Sequence, residues 1–165
     1  TRCAKGIKIG WDNNRETLKT RVFISIGSNI EAEQNVRKVK AHLDSSFSVT
    51  YSSTYKTAAE GFQGEDFLNL VCSFDTDLEP LGLREFLKEI EIKMGRSASQ
   101  KGMSNRVIDL DLILYGNKII KTELLDIPSS DILKYEFVLK PLCELAGTQI
   151  HPETQKTFNS ILESF

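Results

Sequence analysis

The chain has 165 residues, of which 40% are hydrophobic and 27% are charged, a composition ordinary for one soluble globular domain. Its formal net charge is -2 at pH 7, so no basic surplus supports a nucleic-acid partner. No apolar run reaches the roughly 18 residues of a membrane span, and no signal peptide is visible. Three scattered cysteines without CxxC pairs argue against structural zinc and favour a cytoplasmic location.

The first strand and the first helix are predicted near the start of the patterned region. Residues 1–20 are polar and lack sustained periodicity, so we expect a tail or linker, followed by one domain over residues 21–165. The apolar residues of RVFISIGSN alternate, which predicts a strand that ends at a Gly-Ser-Asn turn. The segment EAEQNVRKVKAHLD spaces its apolar residues at i, i+3 and i+7, which predicts an amphipathic helix.

Two further strands and a long helix follow. The segment FSVTYSSTYKT alternates and predicts a second strand, and AAEGFQGED, with its two glycines, predicts a loop. In FLNLVCSFDTD, Phe67, Asn69 and Val71 share one face of a third strand. The segment EPLGLREFLKEIEIKMGR carries a complete apolar stripe between Pro80 in its first turn and Gly95 at its end, as in a helix.

The order of these elements predicts the fold class. A fourth strand, NRVIDLDLILYG, follows the polar loop SASQKGMSN, and short helices are expected around Leu142–Leu145 and Phe158–Phe165. The order β-α-β-β-α-β is typical of a ferredoxin-like α/β (α+β) sandwich. We therefore expect a largely antiparallel sheet with the flanking helices packed on one of its faces.

Two aspartates interrupt the apolar fourth strand. Side chains two residues apart on a strand point the same way, so Asp109 and Asp111 share a face opposite Ile108, Leu110, Leu112 and Leu114. Two carboxylates this close repel each other unless a cation neutralises them. Magnesium suits such a pair, because it takes carboxylate oxygens together with substrate phosphates. The alternative is an exposed strand face on which the aspartates only add solubility.

Two arginines lie close to this strand in the sequence. Arg106 precedes it, and Arg96 begins the polar loop that leads into it. A guanidinium group stays charged and can bond two phosphate oxygens at once. Two arginines and two aspartates around one loop therefore indicate phosphoryl transfer, although either arginine alone is more often a surface residue. The sequence contains neither a GxxxxGK[ST] P-loop nor a kinase-type glycine loop.

Five stretches, in order, resemble the signatures of hydroxymethyldihydropterin pyrophosphokinases of folate biosynthesis. They are FISIGSN, YKTAAEGFQGEDFLN, IEIKMGR, RVIDLDLILYG and FVLKPLCELA, and the resemblance covers roughly residues 21–163. It implies the ferredoxin-like fold and an activity that moves the β- and γ-phosphates of ATP, as a unit, onto the hydroxymethyl oxygen of a reduced pterin. It also implies a fused folate enzyme upstream as one arrangement for this chain.

The resemblance further implies roles for individual residues. Asp109 and Asp111 match the aspartates that bind two magnesium ions, and Arg96 and Arg106 match the loop arginines that engage the phosphates of ATP. The pterin contacts are matched by Thr57, Gly61, Phe67, Asn69 and Phe137. The nucleotide contacts are matched by Lys88, Glu91 and Leu112.

Some positions depart from the family pattern. Ser129 and Ser130 stand where the family has a phosphate-binding histidine and a proline or aromatic residue, and Tyr135 stands where it has an arginine. Ser129, by hydrogen bonding, and Lys134, as a point charge, are then the expected phosphate contacts at these positions. An ATP-dependent diphosphokinase is the first hypothesis. A catalytically impaired module of the same fold that binds a pterin or a nucleotide is the alternative.

Overall fold

A computed structural model describes the fold over residues 18–59, 64–96 and 106–165. Only residues 18–20 of the predicted tail fall within these ranges, and the rest of that prediction lies outside them. The elements are β1 (Thr20–Ser28), α1 (Ala32–Asp44), β2 (Thr50–Tyr51), β3 (Tyr55–Thr57), β4 (Phe67–Thr76), α2 (Pro80–Lys93), β5 (Asp109–Tyr115), β6 (Ile120–Lys121), β7 (Asp126–Ile127), α3 (Asp131–Lys134), α4 (Glu136–Ala146) and α5 (Phe158–Glu163).

The central sheet has the predicted topology. Its strands follow the order β2-β4-β1-β5, and β3 also pairs with β4. Each of these pairings is antiparallel. Because β2 and β3 together form the second strand of the βαββαβ pattern, this order confirms the expected ferredoxin-like α/β sandwich.

The predicted second strand is present in two parts, β2 and β3, which an irregularity separates. Between paired positions the chain advances four residues, from Tyr51 to Tyr55, while β4 advances three, from Cys72 to Asn69. One extra residue in one strand of a pair is a β-bulge. At this point the hydroxyl group of Ser52 accepts a hydrogen bond from the backbone N–H of Val71, at 2.9 Å, in place of a backbone carbonyl.

Helices cover both faces of the sheet, whereas the sequence analysis expected them on one face only. The helices α1 and α2 bury their apolar stripes against one face, and α3, α4 and α5 bury theirs against the other. The second cluster consists of Phe23, Val71, Ile113, Leu114, Ile132, Val138, Leu139, Leu142, Ala146 and Phe158. Its sheet residues are apolar and buried, so this face needs a cover that the minimal βαββαβ pattern does not supply. Within the described ranges, no helix combines the length and apolar character needed to cross a bilayer.

A register shift in β5 corrects one further expectation. Leu114 was predicted to face the same way as Ile108 and Leu110, but it packs in the opposite cluster. The pairing of β1 with β5 slips between Phe23 and Ile24, as at a β-bulge. A bulge reverses the alternation of side chains beyond it, so the pattern holds for the aspartates and fails near the end of the strand.

A buried histidine organises the turn that precedes α5. The ring of His151 is 1% exposed, and its Nδ1 atom accepts hydrogen bonds from the backbone N–H groups of Glu153 and Thr154, at 3.1 and 3.2 Å. The ring also packs edge-on against Phe158. Burial lowers the pKa of His151, and the nearby carboxylate of Glu153 opposes this effect only partly. The neutral ring is therefore the form that the fold requires.

We predict that the fold loses stability as His151 takes up a proton. The unfolded chain protonates this residue near pH 6.5, above the lowered folded pKa, so the stabilising contribution is complete above pH 6.5 and declines as the pH falls through the folded pKa. The variant His151→Asn keeps an acceptor near the position of Nδ1 but cannot titrate. Urea unfolding at pH 7.5 and pH 5.5 should show a larger loss of unfolding free energy for the wild type than for the variant. Equal losses in both proteins would contradict the prediction.

Candidate active site

One face of the sheet carries residues assigned above to the pterin and to the metal. Gly27 of β1 pairs with Asn69 of β4 on one side and with Asp109 of β5 on the other. Paired residues point to the same face, so Asn69 and Asp109 lie in one row with Gly27 between them. Asp111 and Ser25 lie two residues further along β5 and β1, and they pair with each other in the next row of this face. The two aspartates and the asparagine are therefore neighbours on one surface.

Gly27 leaves the space between these groups open. A Cβ atom at this position would lie 3.1 Å from Oδ1 of Asn69 and 3.9 Å from Cδ1 of Phe67. The shorter distance is below ordinary van der Waals contact, so a side chain here would displace the Asn69 carboxamide. Neighbouring strands are roughly 4.8 Å apart, so the backbones of Asn69 and Asp109 are separated by roughly 10 Å across this gap.

Asp111 is a partly buried carboxyl group in strongly unfavourable surroundings for a negative charge. Burial, and after it the carboxylate of Asp109, raise the pKa of Asp111 to about 7, while the ammonium group of Lys88 acts in the opposite direction. A cation bound at this position would relieve the repulsion. Within residues 18–59, 64–96 and 106–165, no three or more His, Cys, Asp or Glu side chains group to hold a metal. Two carboxylates that share magnesium with substrate phosphates fit this chemistry better than an all-protein site.

The two arginines contact the first aspartate. Nη1 of Arg96 lies 2.7 Å from Oδ1 of Asp109, and Nη1 of Arg106 lies 3.0 Å from the same oxygen. Nη1 of Arg96 also lies 2.8 Å from Oε2 of Glu91, which is buried near the end of α2. Burial lowers the pKa of Arg96, but the carboxylates of Asp109 and Glu91 outweigh it and raise the pKa above its ordinary value. The Arg96 guanidinium group is thus held, fully charged, beside the candidate metal ligands.

One cavity brings together part of the expected nucleotide set. Lys88 from α2, Leu112 from β5 and Ser129 line it together with Asp111. It lies at the edge strand of the sheet, because β5 pairs with β1 and ends the strand order. Ser129 is buried, and its hydroxyl oxygen accepts a hydrogen bond from the N–H of Asp131, at 3.2 Å.

A second cavity contains part of the expected pterin set. Thr57 and Phe137 line it, and so does Lys134, which the sequence analysis had grouped with the phosphate contacts. The ammonium group of Lys134 lies 5.1 Å above the ring of Tyr135. That ring in turn stacks on Phe137, with centroids 4.8 Å apart. Lys134 is therefore associated with the aromatic pair, and the Ser129 cavity is lined by other residues.

Two of the remaining pterin candidates, Asn69 and Phe67, lie on β4, beside Thr57 of β3. Nδ2 of Asn69 donates a hydrogen bond of 2.7 Å to Oγ1 of Thr57, which fixes the orientation of the carboxamide and leaves its oxygen towards the Gly27 gap. Phe67 pairs with Thr57 in the register of β3 and β4, so it shares this face. Gly61 lies outside the described residues.

Ser28, the last residue of β1, and Asn29 in the turn that follows it have a role that the sequence analysis missed, and the strand extends through the first two residues of the predicted Gly-Ser-Asn turn. The carboxamide of Asn29 donates to the backbone oxygen of Glu65, at 3.1 Å, and accepts from the N–H of Arg106, at 2.7 Å. The hydroxyl of Ser28 donates to the carbonyl oxygen of Val107. One turn thus ties the approach to β4 and the approach to β5 to the end of β1. The signal in the sequence was a pair of polar residues, Ser-Asn, directly at the end of an apolar strand, because buried polar side chains need hydrogen-bond partners.

Comparison with known proteins gives a consistent result. A family model described as 7,8-dihydro-6-hydroxymethylpterin-pyrophosphokinase (HPPK) matches residues 23–147. The chain is 39% identical over 138 residues to the 2-amino-4-hydroxy-6-hydroxymethyldihydropteridine pyrophosphokinase of Haemophilus influenzae, covering 81% of this chain and 86% of that protein. It is 35% identical over 150 residues to the folic acid synthesis protein FOL1 of Dictyostelium discoideum, covering 89% of this chain and 23% of that protein.

A solved structure supports the same fold. The crystal structure of an HPPK-DHPS in complex with substrates matches with a TM-score of 0.71 and 13% sequence identity, covering 88% of this chain and 43% of that one. This likeness concerns the fold, and the sequence matches concern the family. The chain therefore spans most of a relative such as the Haemophilus protein but only a part of the longer ones. From the family match over residues 23–147 and the identity of 39%, the chain belongs to the 7,8-dihydro-6-hydroxymethylpterin-pyrophosphokinase family.

Proposed function

We propose that the chain transfers the diphosphate of ATP to 6-hydroxymethyl-7,8-dihydropterin, giving the pterin diphosphate and AMP, as a step of folate biosynthesis. The observation that carries this proposal is the row of Asn69, Gly27 and Asp109 across three strands. This row supports binding of the pterin-ring edge at the asparagine and of the ATP polyphosphate at the aspartates. The reacting atoms would then meet between them, above the glycine. Family membership makes this reaction the natural one for such a surface.

The pterin would bind on the Asn69 side of the gap. An amide can both donate to and accept from the amide-like edge of a pterin ring, and the bond to Thr57 holds this amide in one orientation. A flat heterocycle gains from stacking on aromatic rings, which Phe67 and Phe137 supply in this proposal. We include Gly61 as a further pterin contact, on the resemblance alone.

ATP would bind along the edge of β5. Leu112 offers an apolar surface for the adenine, and Lys88 and Ser129 line the same cavity. The resemblance implies Glu91 as a nucleotide contact, and Lys134 is the proposed point charge beside Tyr135, where the chain departs from the family pattern. In the structure Lys134 lines the cavity of Thr57 and Phe137, so its contribution of charge to the phosphates would come from the pterin side.

Asp109 and Asp111 are the residues that would hold magnesium, and two ions are part of this proposal. When bound there, magnesium would neutralise phosphate charge and make the pterin hydroxyl group more acidic. The raised pKa of Asp111 supports the assignment, because burial and the neighbouring carboxylate of Asp109 together outweigh the attraction of Lys88.

In the reaction, the hydroxymethyl oxygen attacks the β-phosphorus of ATP, the bond from that phosphorus to the α,β-bridging oxygen breaks, and AMP leaves while the hydroxyl proton is lost. The protein contributes orientation and charge. Arg96 and Arg106 already lie at Asp109, so polyphosphate oxygens placed beside that carboxylate fall within reach of both guanidinium groups. Positioning and electrostatic stabilisation are the main contributions that proteins make to phosphoryl transfer.

We also propose a place for the domain in a longer chain and a cellular location. A domain over residues 21–165 within a longer folate enzyme is compatible with the 23% share that the chain covers of the Dictyostelium protein. A cytoplasmic location rests on the cysteine pattern of the sequence.

The direct test is incubation of the purified chain with ATP, magnesium and 6-hydroxymethyl-7,8-dihydropterin. Equal amounts of AMP and pterin diphosphate should appear, and neither should form without the pterin. Calorimetry with a non-hydrolysable ATP analogue distinguishes the alternative of an impaired binding module, for which heat of binding would be seen without turnover.

We predict that Asp111→Asn lowers AMP formation by about a hundredfold or more, since the loss of a metal ligand removes several kcal/mol of charge stabilisation. Circular dichroism should show an unchanged fold, because asparagine has nearly the same volume as aspartate. The control is Asp77→Asn, an exposed aspartate away from this face, which should retain full turnover. Unchanged turnover in Asp111→Asn would refute the assignment of this residue.

We also predict that Gly27→Ala raises the KM for the pterin by about tenfold or more while nucleotide binding persists. The added methyl group would lie 3.1 Å from the Asn69 carboxamide oxygen and displace the group proposed to read the ring, at the cost of about one hydrogen bond. Gly82→Ala is the matched control, because a methyl group added at this position of α2 would have nothing within 4 Å. Steady-state kinetics with each substrate varied in turn measures both effects.

A further inference from the structure

Glu91 is a buried carboxylate whose contacts lie on the protein side of the site. It is 3% exposed, in the last turn of α2. Its Oε2 atom accepts a hydrogen bond of 2.7 Å from the backbone N–H of Leu110 and lies 2.8 Å from Nη1 of Arg96. Nζ of Lys88 lies 3.4 Å from its other oxygen. Both oxygens are thus directed at groups of the protein, and little of the side chain is open to a ligand.

The bond to Leu110 acts on the backbone between the two aspartates. Leu110 lies between Asp109 and Asp111 on β5, which ends the strand order of the sheet. An N–H group on the outer side of such a strand has no neighbouring strand to bond. The Glu91 carboxylate takes the place of the missing strand carbonyl, so it fixes this backbone where both side chains must be held.

The bond to Arg96 acts on the charged end of the site. Nη1 of Arg96 lies between Oε2 of Glu91 and Oδ1 of Asp109, at 2.8 and 2.7 Å. The backbone N–H of Arg96 also donates to the carbonyl oxygen of Glu91, at 3.0 Å. The Glu91 carboxylate therefore contacts the guanidinium group of Arg96, and the backbone carbonyl of the same residue holds the chain just beyond the end of α2.

A contribution to folding stability does not by itself explain the buried ion pair of Glu91 and Arg96. Burying two charges costs hydration energy, and replacing a buried ion pair by apolar residues is often neutral or stabilising. The neighbouring positions of α2, Leu83, Leu87 and Ile90, supply apolar packing in the main core, so this helix does not depend on a charge for its attachment. A positional role accounts for a carboxylate at this buried point.

We infer that Glu91 is a positioning residue, which holds Arg96 and the Asp109–Asp111 segment of β5 in place for transfer, and that it is not a ligand of the nucleotide. This inference rests on the proposed function. It reassigns a residue that the sequence resemblance had grouped with the nucleotide contacts. In this inference Glu91 makes no bond to the substrate. It acts through two protein groups, the guanidinium of Arg96 and the backbone N–H of Leu110.

The kinetic test compares Glu91→Gln, Arg96→Lys and the double variant. Glutamine keeps an acceptor for Leu110 and loses the charge that holds the guanidinium. We expect kcat to fall about tenfold or more, as for the loss of one charge-assisted hydrogen bond, with the KM for the pterin within about twofold of wild type. The double variant should be no slower than the slower single variant, because both changes break the same contact, that between Glu91 and Arg96.

The matched control is Glu89→Gln, an exposed glutamate two residues away on the same helix, which should keep the wild-type kcat. Wild-type kcat in Glu91→Gln, or losses that multiply in the double variant, would overturn the inference. If Glu91→Gln does not fold, Glu91→Asp replaces it, since this change keeps the charge and withdraws it from both partners. The same fall in kcat is then expected, and an unchanged kcat overturns the inference.

A second measurement does not depend on activity. In the ligand-free protein, ¹⁵N NMR of arginine side chains should show the Arg96 guanidinium with restricted rotation. Glu91→Gln should speed this rotation, although the contact with Asp109 remains, while Glu89→Gln leaves it unchanged. If the wild type forms no AMP, the proposed function fails and this spectrum still tests the contact. If the Arg96 signal is the same in Glu91→Gln as in the wild type, the positioning role fails whatever the turnover.

Discussion

The antiparallel pairing of β1 with both of its neighbours is the constraint on which the rest of the site depends. This register aligns Asn69, Gly27 and Asp109 across three strands that are far apart in the sequence. Any slip by one residue would send either the asparagine or the aspartate to the opposite face, into the apolar core. The core beneath is formed by Ile24 and Ile26 of β1 and their neighbours, and its packing against α1 and α2 holds the register. The polar end of one face of the sheet therefore depends for its alignment on the apolar packing of the other face.

The site brings carboxylates close together, and in the ligand-free protein nearby cationic side chains offset part of their repulsion. Asp109 is neutralised by Arg96 and Arg106, and Arg96 is shared with the buried Glu91. Asp111 lies beside this network, and burial, with the repulsion of Asp109, raises its pKa to about 7. The site thus combines satisfied charges, which keep its geometry, with one carboxyl group in unfavourable surroundings, as expected where binding of a cation has to be favourable.

The departures from the family pattern lie at the rim of this arrangement. Ser129 is buried and its hydroxyl accepts from the backbone N–H of Asp131, so it supports the loop before α3 without adding charge. Tyr135 stacks on Phe137, and the ammonium group of Lys134 lies above the Tyr135 ring. An aromatic pair therefore stands where the family pattern has an arginine. The aspartates and both arginines, which form the centre of the site, keep the family residues. The proposed reacting centre therefore keeps its charged side chains, while the departures remove charge at the rim.

The sequence by itself determined the fold class, the shared face of Asp109 and Asp111, and the family, because these depend on local periodicity and on short ordered motifs. It did not reveal the bulges near Ser52 and Ile24, because a bulge is set by cross-strand hydrogen bonds that leave no pattern in one strand. Nor did it reveal that α3, α4 and α5 cover the second face of the sheet. Only the tertiary structure decided that Glu91 lies beneath the site and that Lys134 joins the aromatic pair. The physical reason is that such contacts join residues whose distance apart is set by packing, which no periodicity along the chain encodes.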